Sequence, residues 1–274
     1  MEVIRDFRRL FPTVMDRAYD QSKELRSVSD IMSKEVVTVA PKASMGEAAK
    51  IMGERHIGSL IVVENRKPAG IVTERDLLSR VIATGMSPHK VKVKDVMASP
   101  LISINPSVSI REAARTMIRK KGRLAVFDGE RLVGVVTASD FVKSMPWVSE
   151  TRIRVDDYMT RKVITADEKV TVAGVARIMG EKRIGSVVVT RSDKPVGIFT
   201  ERDLLTTFLA EGRSLSVMVG EACSSPLWAI PAGTPINVAA YIMASKRVRR
   251  LPVVEDDEVV GIITARDLVE AYAQ

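Results

Sequence analysis

One stretch of the sequence occurs twice. The segment GIVTERDLL at residues 70–78 returns as GIFTERDLL at 197–205, with eight of nine residues identical. The likeness extends outwards, since IMGERHIGSLIVV at 51–63 matches IMGEKRIGSVVV at 178–189. The two halves of the chain are therefore copies of one another, and such a chain folds as repeated modules that bury surface against their neighbours.

Each half is itself divided into two repeats. A Gly-x-x-Thr-x-x-Asp motif marks every repeat, and its successive threonines are 64, 63 and 64 residues apart. The motif occurs at Gly70/Thr73/Asp76, Gly134/Thr137/Asp140, Gly197/Thr200/Asp203 and Gly261/Thr264/Asp267. We assign repeats 1 to 4 to residues 28–90, 91–150, 151–214 and 215–274. Because odd repeats resemble odd ones, a pair of repeats was duplicated, which predicts that repeat 1 packs with repeat 2 and repeat 3 with repeat 4.

Every repeat shows the same order of predicted elements. In repeat 1 a short strand, EVVTV at 35–39, precedes a helix, two neighbouring strands, SLIVV and AGIVT, and a second helix. Capping-box patterns, Ser44-x-x-Glu47 and Ser109-x-x-Glu112, mark the start of the first helix in repeats 1 and 2. The sequence therefore predicts an α/β (α+β) fold of four β-α-β-β-α modules in two pseudo-symmetric pairs.

An extension at residues 1–27 precedes the first repeat. Its apolar residues fall on one helical stripe, interrupted by Pro12, and they are Ile4, Phe7, Phe11, Val14, Ala18 and Leu25. The stripe predicts an N-terminal helical extension. This helix would either lie on the core or mediate dimerisation or partner binding, and the sequence leaves both open.

The composition is that of a soluble globular protein, with 46% hydrophobic and 28% charged residues. No apolar run is long enough to cross a bilayer, and the N-terminus is charged throughout, so we expect a cytoplasmic protein without membrane partners. Cys223 is the sole cysteine and can form no internal disulfide. Only three Asn and two Gln accompany many charged residues, which hints at a thermophilic source.

The repeat resembles the CBS domain, named after cystathionine β-synthase, over about nine-tenths of the chain. Among CBS proteins it is most similar to those with four repeats, arranged as two tandem pairs, that resemble the γ subunit of the AMP-activated protein kinase. The resemblance implies a disc of two pairs, with adenine nucleotides held in clefts between paired repeats. It also implies a regulatory, energy-sensing protein that binds AMP, ADP or ATP without chemistry.

Two interpretations fit the repeated Thr-x-x-Asp. The threonine can cap the following helix while the aspartate closes a capping box, which requires no ligand. Alternatively, the aspartate accepts the hydroxyls of a ribose, and the arginine beside it, present in three repeats as Arg75, Arg202 and Arg266, contacts phosphate. Repeat 2 departs from the pattern, with Ser139 in place of that arginine. The residue type and the resemblance together favour the ligand.

The segment before the first hairpin strand differs between odd and even repeats. Odd repeats carry Gly58-Ser59 and Gly185-Ser186, where glycine lets a flat ring approach the backbone, whereas even repeats carry Arg123 and Arg250 in phosphate-facing positions of the resembling family. The predicted nucleotide-binding residues are Thr73, Arg75, Asp76, Thr137, Asp140, Thr200, Arg202, Asp203, Thr264, Arg266, Asp267, Gly58, Ser59, Gly185, Ser186, Arg123 and Arg250.

Other function classes are weaker. An enzyme that carries such repeats needs a further barrel or cofactor domain, for which no length remains, and His56, His89 and Cys223 cannot supply an ordinary zinc site. We predict no catalytic residue, no catalytic cofactor and no metal. The net charge of +8 leaves a nucleic-acid-associated regulator as an alternative, although specific recognition is not expected. An S-adenosylmethionine sensor, an unknown effector protein and a homodimer also remain open.

Overall fold

The computed structural model describes residues 1–3, 26–145 and 152–274. The helix predicted for residues 1–27 falls mainly on residues 4–25, which lie outside the described residues. At the very N-terminus the prediction was wrong, because Glu2–Val3 forms a strand that pairs in parallel with Trp228 and Ala229. Those two residues extend the sheet of repeat 4 by one strand.

All four repeats have the predicted β-α-β-β-α order, so the expected fold class is confirmed. Repeat 1 contains Thr38–Val39, Met45–Glu54, Ser59–Glu64, Lys67–Thr73 and Glu74–Leu77, the last continued by a π-helix over Leu78–Ile82. Repeat 2 contains Ser103–Ile104, Ile110–Lys120, Leu124–Asp128, Arg131–Val136 and Ala138–Ser144. Repeat 3 contains Thr165–Asp167, Val172–Glu181, Ser186–Arg191, Lys194–Thr200 and Glu201–Asp203, continued by a π-helix over Leu204–Leu209. Repeat 4 contains Trp228–Pro231, Ile236–Ser245, Arg250–Glu255, Glu258–Thr264 and Ala265–Ala273.

A short helical segment stands at the start of each assigned repeat. These segments are Val28–Ile31, Val93–Val96, the 3₁₀ turn Val155–Asp157 and Val219–Ala222. The segment that holds each short helix pairs with the hairpin of one repeat, as Ser33 does with Val135 and Ala98 with Ile71. Residues 26–35 therefore belong structurally with repeat 2, although residues 28–35 open repeat 1 in the assignment made from the sequence.

Each repeat builds a small three-stranded core sheet of the same topology. The first strand pairs in parallel with the second, and the second pairs with the third in an antiparallel hairpin. In repeat 1 the hairpin turns at Asn65 and Arg66, both with positive φ, of 50° and 64°. Two successive positive φ values are typical of the tight turn whose twist matches a hairpin. The predicted first strand, 35–39, is confirmed only for Thr38–Val39.

The predicted caps of the first helices are present in different degrees. The Glu47 N–H donates to Ser44 Oγ at 3.1 Å, and Glu47 Oε2 accepts the Ser44 N–H at 2.7 Å, which completes a capping box. Ser109 Oγ accepts the Glu112 N–H at 3.2 Å. Both serines therefore satisfy one of the N–H groups that a helix start leaves without an intrahelical partner.

The repeats form two compact units whose composition differs from the expected pairing. Unit 1 combines repeat 1 with repeat 3, over residues 36–101 and 164–227. Unit 2 combines repeat 2 with repeat 4 and includes residues 26–35. The pairs that share a compact unit are thus 1 with 3 and 2 with 4, and not 1 with 2 and 3 with 4 as the duplication predicts.

Helix packing is the physical reason for the composition of unit 1. The π-helix of each odd repeat packs on the first helix of the other, and the two repeats exchange leucines: Leu205 lies in the core of repeat 1, and Leu78 lies in the core of repeat 3. Glycine permits this approach, because a Cβ added at Gly53 would lie 2.5 Å from the Cβ of Ala210. In the equivalent contact with the roles of the two repeats exchanged, a Cβ added at Gly180 would lie still closer to the Cβ of Ala83.

A single apolar core runs through both repeats of unit 2. The first helix of repeat 2, Ile110–Lys120, packs on the last helix, Ala265–Ala273, and the buried side chains of Phe141 and Leu268 belong to the same cluster. The contact is closed at its edge by Arg115, whose Nε donates to the carbonyl of Ala273 at 2.8 Å. Even repeats therefore meet helix to helix, as odd repeats do.

We expect Gly180→Ala to lower the free energy of unfolding by about 1–3 kcal/mol, because the added methyl overpacks the contact with Ala83. Chemical denaturation monitored by circular dichroism measures the change. Gly174→Ala is the matched control, since Gly174 lies in the same helix but faces only side-chain atoms of its own N-terminal turn. The control should leave stability unchanged or raise it by up to about 1 kcal/mol, and equal losses in both variants would contradict the packing argument.

Candidate functional site

The predicted capping box exists in all four repeats. In each, one carboxylate oxygen of the aspartate, Oδ2, accepts both the backbone N–H and the hydroxyl of the threonine three residues earlier. The N–H···Oδ2 distances are 3.0 Å at Thr73, 2.8 Å at Thr137, 2.8 Å at Thr200 and 2.7 Å at Thr264. The capping interpretation therefore describes the geometry correctly. It accounts for only one of the two carboxylate oxygens.

In repeats 2 and 3 the other oxygen, Oδ1, lies beside a hydroxyl group that sequence reasoning missed, whereas in repeat 1 Asp76 Oδ1 lies 3.6 Å from Arg80 Nε. Ser33 Oγ donates to Asp140 Oδ1 at 3.4 Å, and Ser224 Oγ donates to Asp203 Oδ1 at 3.5 Å. Both serines come from the segments around the short helices. A comparison of these segments shows a common pattern that could have found them, with DIMS at 30–33, DVMA at 95–98, DYMT at 157–160 and EACS at 221–224.

The same segments explain the glycine of the motif. A Cβ built at any of the four motif glycines would lie within 3.0 Å of a sulfur atom in the neighbouring segment. The pairs are Gly70 with Met97, Gly134 with Met32, Gly197 with Cys223 and Gly261 with Met159. Close packing against the neighbouring segment accounts for glycine at this point. Burial raises the pKa of the Cys223 thiol, so the thiolate needed for reactivity is disfavoured.

Hairpin register brings the remaining predicted residues of each odd repeat to the helix start. Ser59 is the strand partner of Thr73, and Ser186 is the strand partner of Thr200. The carbonyl oxygen of Gly58 accepts the N–H of Glu74 at 3.2 Å, as that of Gly185 accepts the N–H of Glu201 at 3.1 Å. The predicted Gly-Ser pairs and Thr-x-x-Asp motifs of repeats 1 and 3 are therefore adjacent.

Even repeats place a basic residue at the corresponding point. Arg250 is the strand partner of Thr264. Arg123 directly precedes Leu124, whose strand partner is Val136, so it lies next to Thr137 in the hairpin. Each of these arginines is thus beside the motif of its own repeat.

The arginines inside the motifs have different partners in the two units. In unit 1, Arg75 Nε donates to Glu201 Oε1 at 2.9 Å, and Arg202 Nε donates to Glu74 Oε1 at 3.2 Å. In unit 2, Arg266 Nη2 lies 3.4 Å from the carbonyl oxygen of Ile118. Sequence reasoning singled out these arginines but missed the glutamates, which are buried.

The four aspartates also differ in their surroundings. Burial raises the pKa of Asp267, against the opposing effect of its hydrogen bonds with Thr264. Repeat 2, which carries Ser139 beside its aspartate, has no arginine at that position. In the described ranges, 1–3, 26–145 and 152–274, no group of His, Cys, Asp and Glu could hold a metal ion. None of the helices described in those ranges has the length and apolarity of a membrane-spanning segment.

Comparison with known proteins identifies the repeat. Four segments match the family model of the CBS domain, at residues 28–83, 93–146, 155–210 and 219–274. An uncharacterized 33.4 kDa protein in the ribosomal RNA operon of Thermofilum pendens is 33% identical over 201 residues, which are 67% of this chain and 65% of the relative. The uncharacterized protein MK0525 of Methanopyrus kandleri is 34% identical over 128 residues, which are 46% of this chain and 65% of the relative. The matched segments thus span just under two thirds of the length of these relatives.

The crystal structure of MJ1225 from Methanocaldococcus jannaschii, described as a proposed archaeal homolog of g-AMPK, has a similar fold. It superposes with a TM-score of 0.75 over 90% of this chain and 100% of that chain, at 24% sequence identity. The expected fold of a four-repeat CBS protein is therefore confirmed. With four matched repeats that fill most of its length, the chain belongs to the CBS-domain family.

Proposed function

We propose that this CBS-repeat protein binds an adenine nucleotide, AMP, ADP or ATP, at its Thr-x-x-Asp helix starts and acts as a regulatory sensor without turning the ligand over. The observation that carries the proposal is that the two carboxylate oxygens of the motif aspartate have different partners. Oδ2 is fixed by the capping box, and Oδ1 is directed away from it in repeats whose aspartate meets a hydroxyl donor.

The capping box prepares the carboxylate for a ribose. Two hydrogen bonds from the threonine hold Oδ2 in place, so the carboxylate loses little further freedom when a ligand arrives. A carboxylate oxygen has two acceptor positions, and Oδ1 can receive a ribose hydroxyl where Ser33 or Ser224 now donates. The serine hydroxyls can rotate and donate to the ligand instead.

Arginines supply the complement to phosphate. Arg250 and Arg123 stand beside the motifs of the even repeats, and Arg75 and Arg202 belong to the motifs of the odd repeats. The guanidinium group matches phosphate through paired N–H donors. Every repeat therefore has an arginine either within its motif or beside its motif threonine.

Calorimetric titration of the purified protein with AMP, ADP and ATP should show binding with a dissociation constant on the order of micromolar, about −8 kcal/mol. S-adenosylmethionine presents the same ribose and adenine without phosphate, and GMP carries phosphate on another base, so the two together report on the base and the phosphate separately. Chromatography of the mixture after prolonged incubation should recover the nucleotide unchanged.

Two results would contradict the proposal. Equal affinity for GMP and AMP would remove the adenine preference. Affinity for duplex DNA that persists above physiological salt, with none for mononucleotides, would favour the alternative of a nucleic-acid-associated protein, because non-specific phosphate contacts weaken steeply with salt.

Asp203→Asn separates the cap from the ribose contact. An asparagine still accepts from Thr200, so unfolding free energy should fall by about 1 kcal/mol or less. Loss of the charged acceptor should weaken one nucleotide-binding event about ten- to a hundredfold, as measured by titration with AMP.

Asp30→Asn is the matched control. Asp30 Oδ2 likewise accepts the N–H of the residue three positions earlier, Ser27, at 2.8 Å and its hydroxyl at 3.0 Å, and also the Arg26 N–H at 2.9 Å, but Asp30 lies outside the motif. The control should lose similar stability and no affinity. If Asp203→Asn binds AMP as tightly as the control does, the motif aspartate is a helix cap alone.

A further inference from the structure

In unit 1, two glutamates of the motifs form ion pairs with arginines of the other repeat. Repeat 1 reads Thr73-Glu74-Arg75-Asp76, and repeat 3 reads Thr200-Glu201-Arg202-Asp203. Each arginine donates its Nε to the glutamate of the other repeat, at 2.9 Å for Arg75 with Glu201 and 3.2 Å for Arg202 with Glu74. The two ion pairs are reciprocal, so each motif contributes one acceptor and one donor.

Burial shows which partner is the fixed one. The side chains of Glu74 and Glu201 are 2% and 8% exposed, whereas those of Arg75 and Arg202 are 57% and 36% exposed. A buried carboxylate is costly unless it is paired, so each glutamate is a fixed anchor inside the unit. The more exposed guanidinium group is held against that anchor from the solvent side.

Each guanidinium group is held by one edge only. The ion pair uses Nε, and in the part of the chain that the structure describes, the Nη1 and Nη2 groups of Arg75 and Arg202 have no hydrogen-bond partner. Four N–H donors per arginine therefore remain for a ligand. The ion pairs place Arg75 at the helix start of the repeat 3 motif, which begins at Glu201, and Arg202 at that of the repeat 1 motif, which begins at Glu74.

Unit 2 lacks these ion pairs and has arginines at other positions beside its motifs. Ala138 and Ala265 replace the glutamates, and Arg266 contacts the carbonyl oxygen of Ile118 instead of a carboxylate. Even repeats carry Arg123 and Arg250 beside the motif threonine, where odd repeats carry Ser59 and Ser186. The glutamates thus occur in those repeats whose phosphate contact must come from the motif arginine itself.

We propose that Glu74 and Glu201 are positioning residues for phosphate, each orienting the arginine of the other repeat. The inference rests on the proposed function, and it adds that recognition of the phosphate at repeat 1 depends on repeat 3 and the reverse. The glutamates set the preference of unit 1 for phosphorylated over unphosphorylated adenosine ligands. They do not contact the ligand.

Two other roles give different results. If the glutamate competes with phosphate for the arginine, its removal raises the affinity for AMP. If the pair only stabilises the fold, its removal changes the affinities for AMP and adenosine by the same factor. Orientation alone predicts a selective loss for AMP that a neutral hydrogen-bond acceptor largely restores.

The test compares Glu201→Ala with Glu201→Gln in the full chain, by calorimetric titration with AMP and with adenosine. Glu201→Ala should lower the affinity for AMP about tenfold and change the affinity for adenosine by less than about twofold, because only the oriented charge-assisted contact is lost. The glutamine side chain still accepts from Arg75 Nε, so Glu201→Gln should lower the affinity for AMP by less than about threefold. Glu168→Ala is the control, since Glu168 pairs with Arg191 at 2.7 Å in the same repeat but outside the motif.

A third variant covers the case in which Glu201→Ala does not fold. Arg75→Lys keeps a positive partner for Glu201 but loses the guanidinium edge. The affinity for AMP should therefore again fall about tenfold, and the affinity for adenosine should not change. In the Arg75→Lys background, Glu201→Gln should cost no further affinity for AMP, as expected of two residues that act through one contact.

The outcomes separate the inference from the proposed function. If the unsubstituted chain binds none of AMP, ADP, ATP and adenosine, the proposed function is wrong and the inference is wrong with it. If the chain binds AMP but the ratio of AMP to adenosine affinity is unchanged in Glu201→Ala or in Arg75→Lys, the inference alone is wrong. A rise in AMP affinity in both glutamate variants would show competition in place of orientation.

Discussion

The contact of each π-helix with the first helix of the other odd repeat fixes the rest of unit 1. Gly53 and Gly180 bring the backbones close enough for Leu78 and Leu205 to enter the opposite core. Each π-helix directly follows a motif, so this contact sets where the motif lies. Without it, Arg75 could not reach Glu201. The apolar packing therefore comes first, and the reciprocal ion pairs depend on it.

Energetics agree with that order. Each pair joins a partly exposed arginine to a buried glutamate, and the cost of taking that carboxylate out of water offsets much of the attraction within the pair. The buried carboxylates would be unfavourable in any fold that did not bring an arginine to them. Unit 2 avoids the problem with Ala265, which is buried in a continuous apolar core. The charged arrangement of unit 1 thus has an apolar counterpart in the same chain, and its retention calls for a role other than stability.

Much of the fold could be predicted from the sequence because its signals are local. The period of about 64 residues, the Ser44 cap and the order of elements all follow from neighbouring residues. The grouping of repeats could not, because it depends on which helix faces meet, and a duplication of pairs suggests the opposite grouping. The strand at Glu2–Val3 was missed for the same reason, since two residues become a strand only through a partner distant in the sequence.

The candidate site was predicted in its residue types and less well in their roles. The threonines and aspartates meet as expected. The motif glycine packs against a sulfur atom of a neighbouring segment, and the hydroxyl groups of Ser33 and Ser224 come from such segments too. The sequence does not show which hairpin each of these segments pairs with. Glu74 and Glu201 were not predicted as site residues, because a charged residue at a helix start normally faces solvent. Only packing between repeats buries them.

The cap and the ligand contact, which were weighed as alternatives, are compatible in one carboxylate. A capping box uses one oxygen and fixes the plane of the group, and a ribose would use the other. An aspartate suits both tasks better than glutamate, because its shorter side chain has fewer rotamers to lose when both oxygens are engaged. The helix cap then orients the acceptor before a ligand arrives, in the same way that a buried glutamate orients an arginine. In both cases a stable local contact fixes one edge of a planar charged group, and a ligand would be recognised by the other edge.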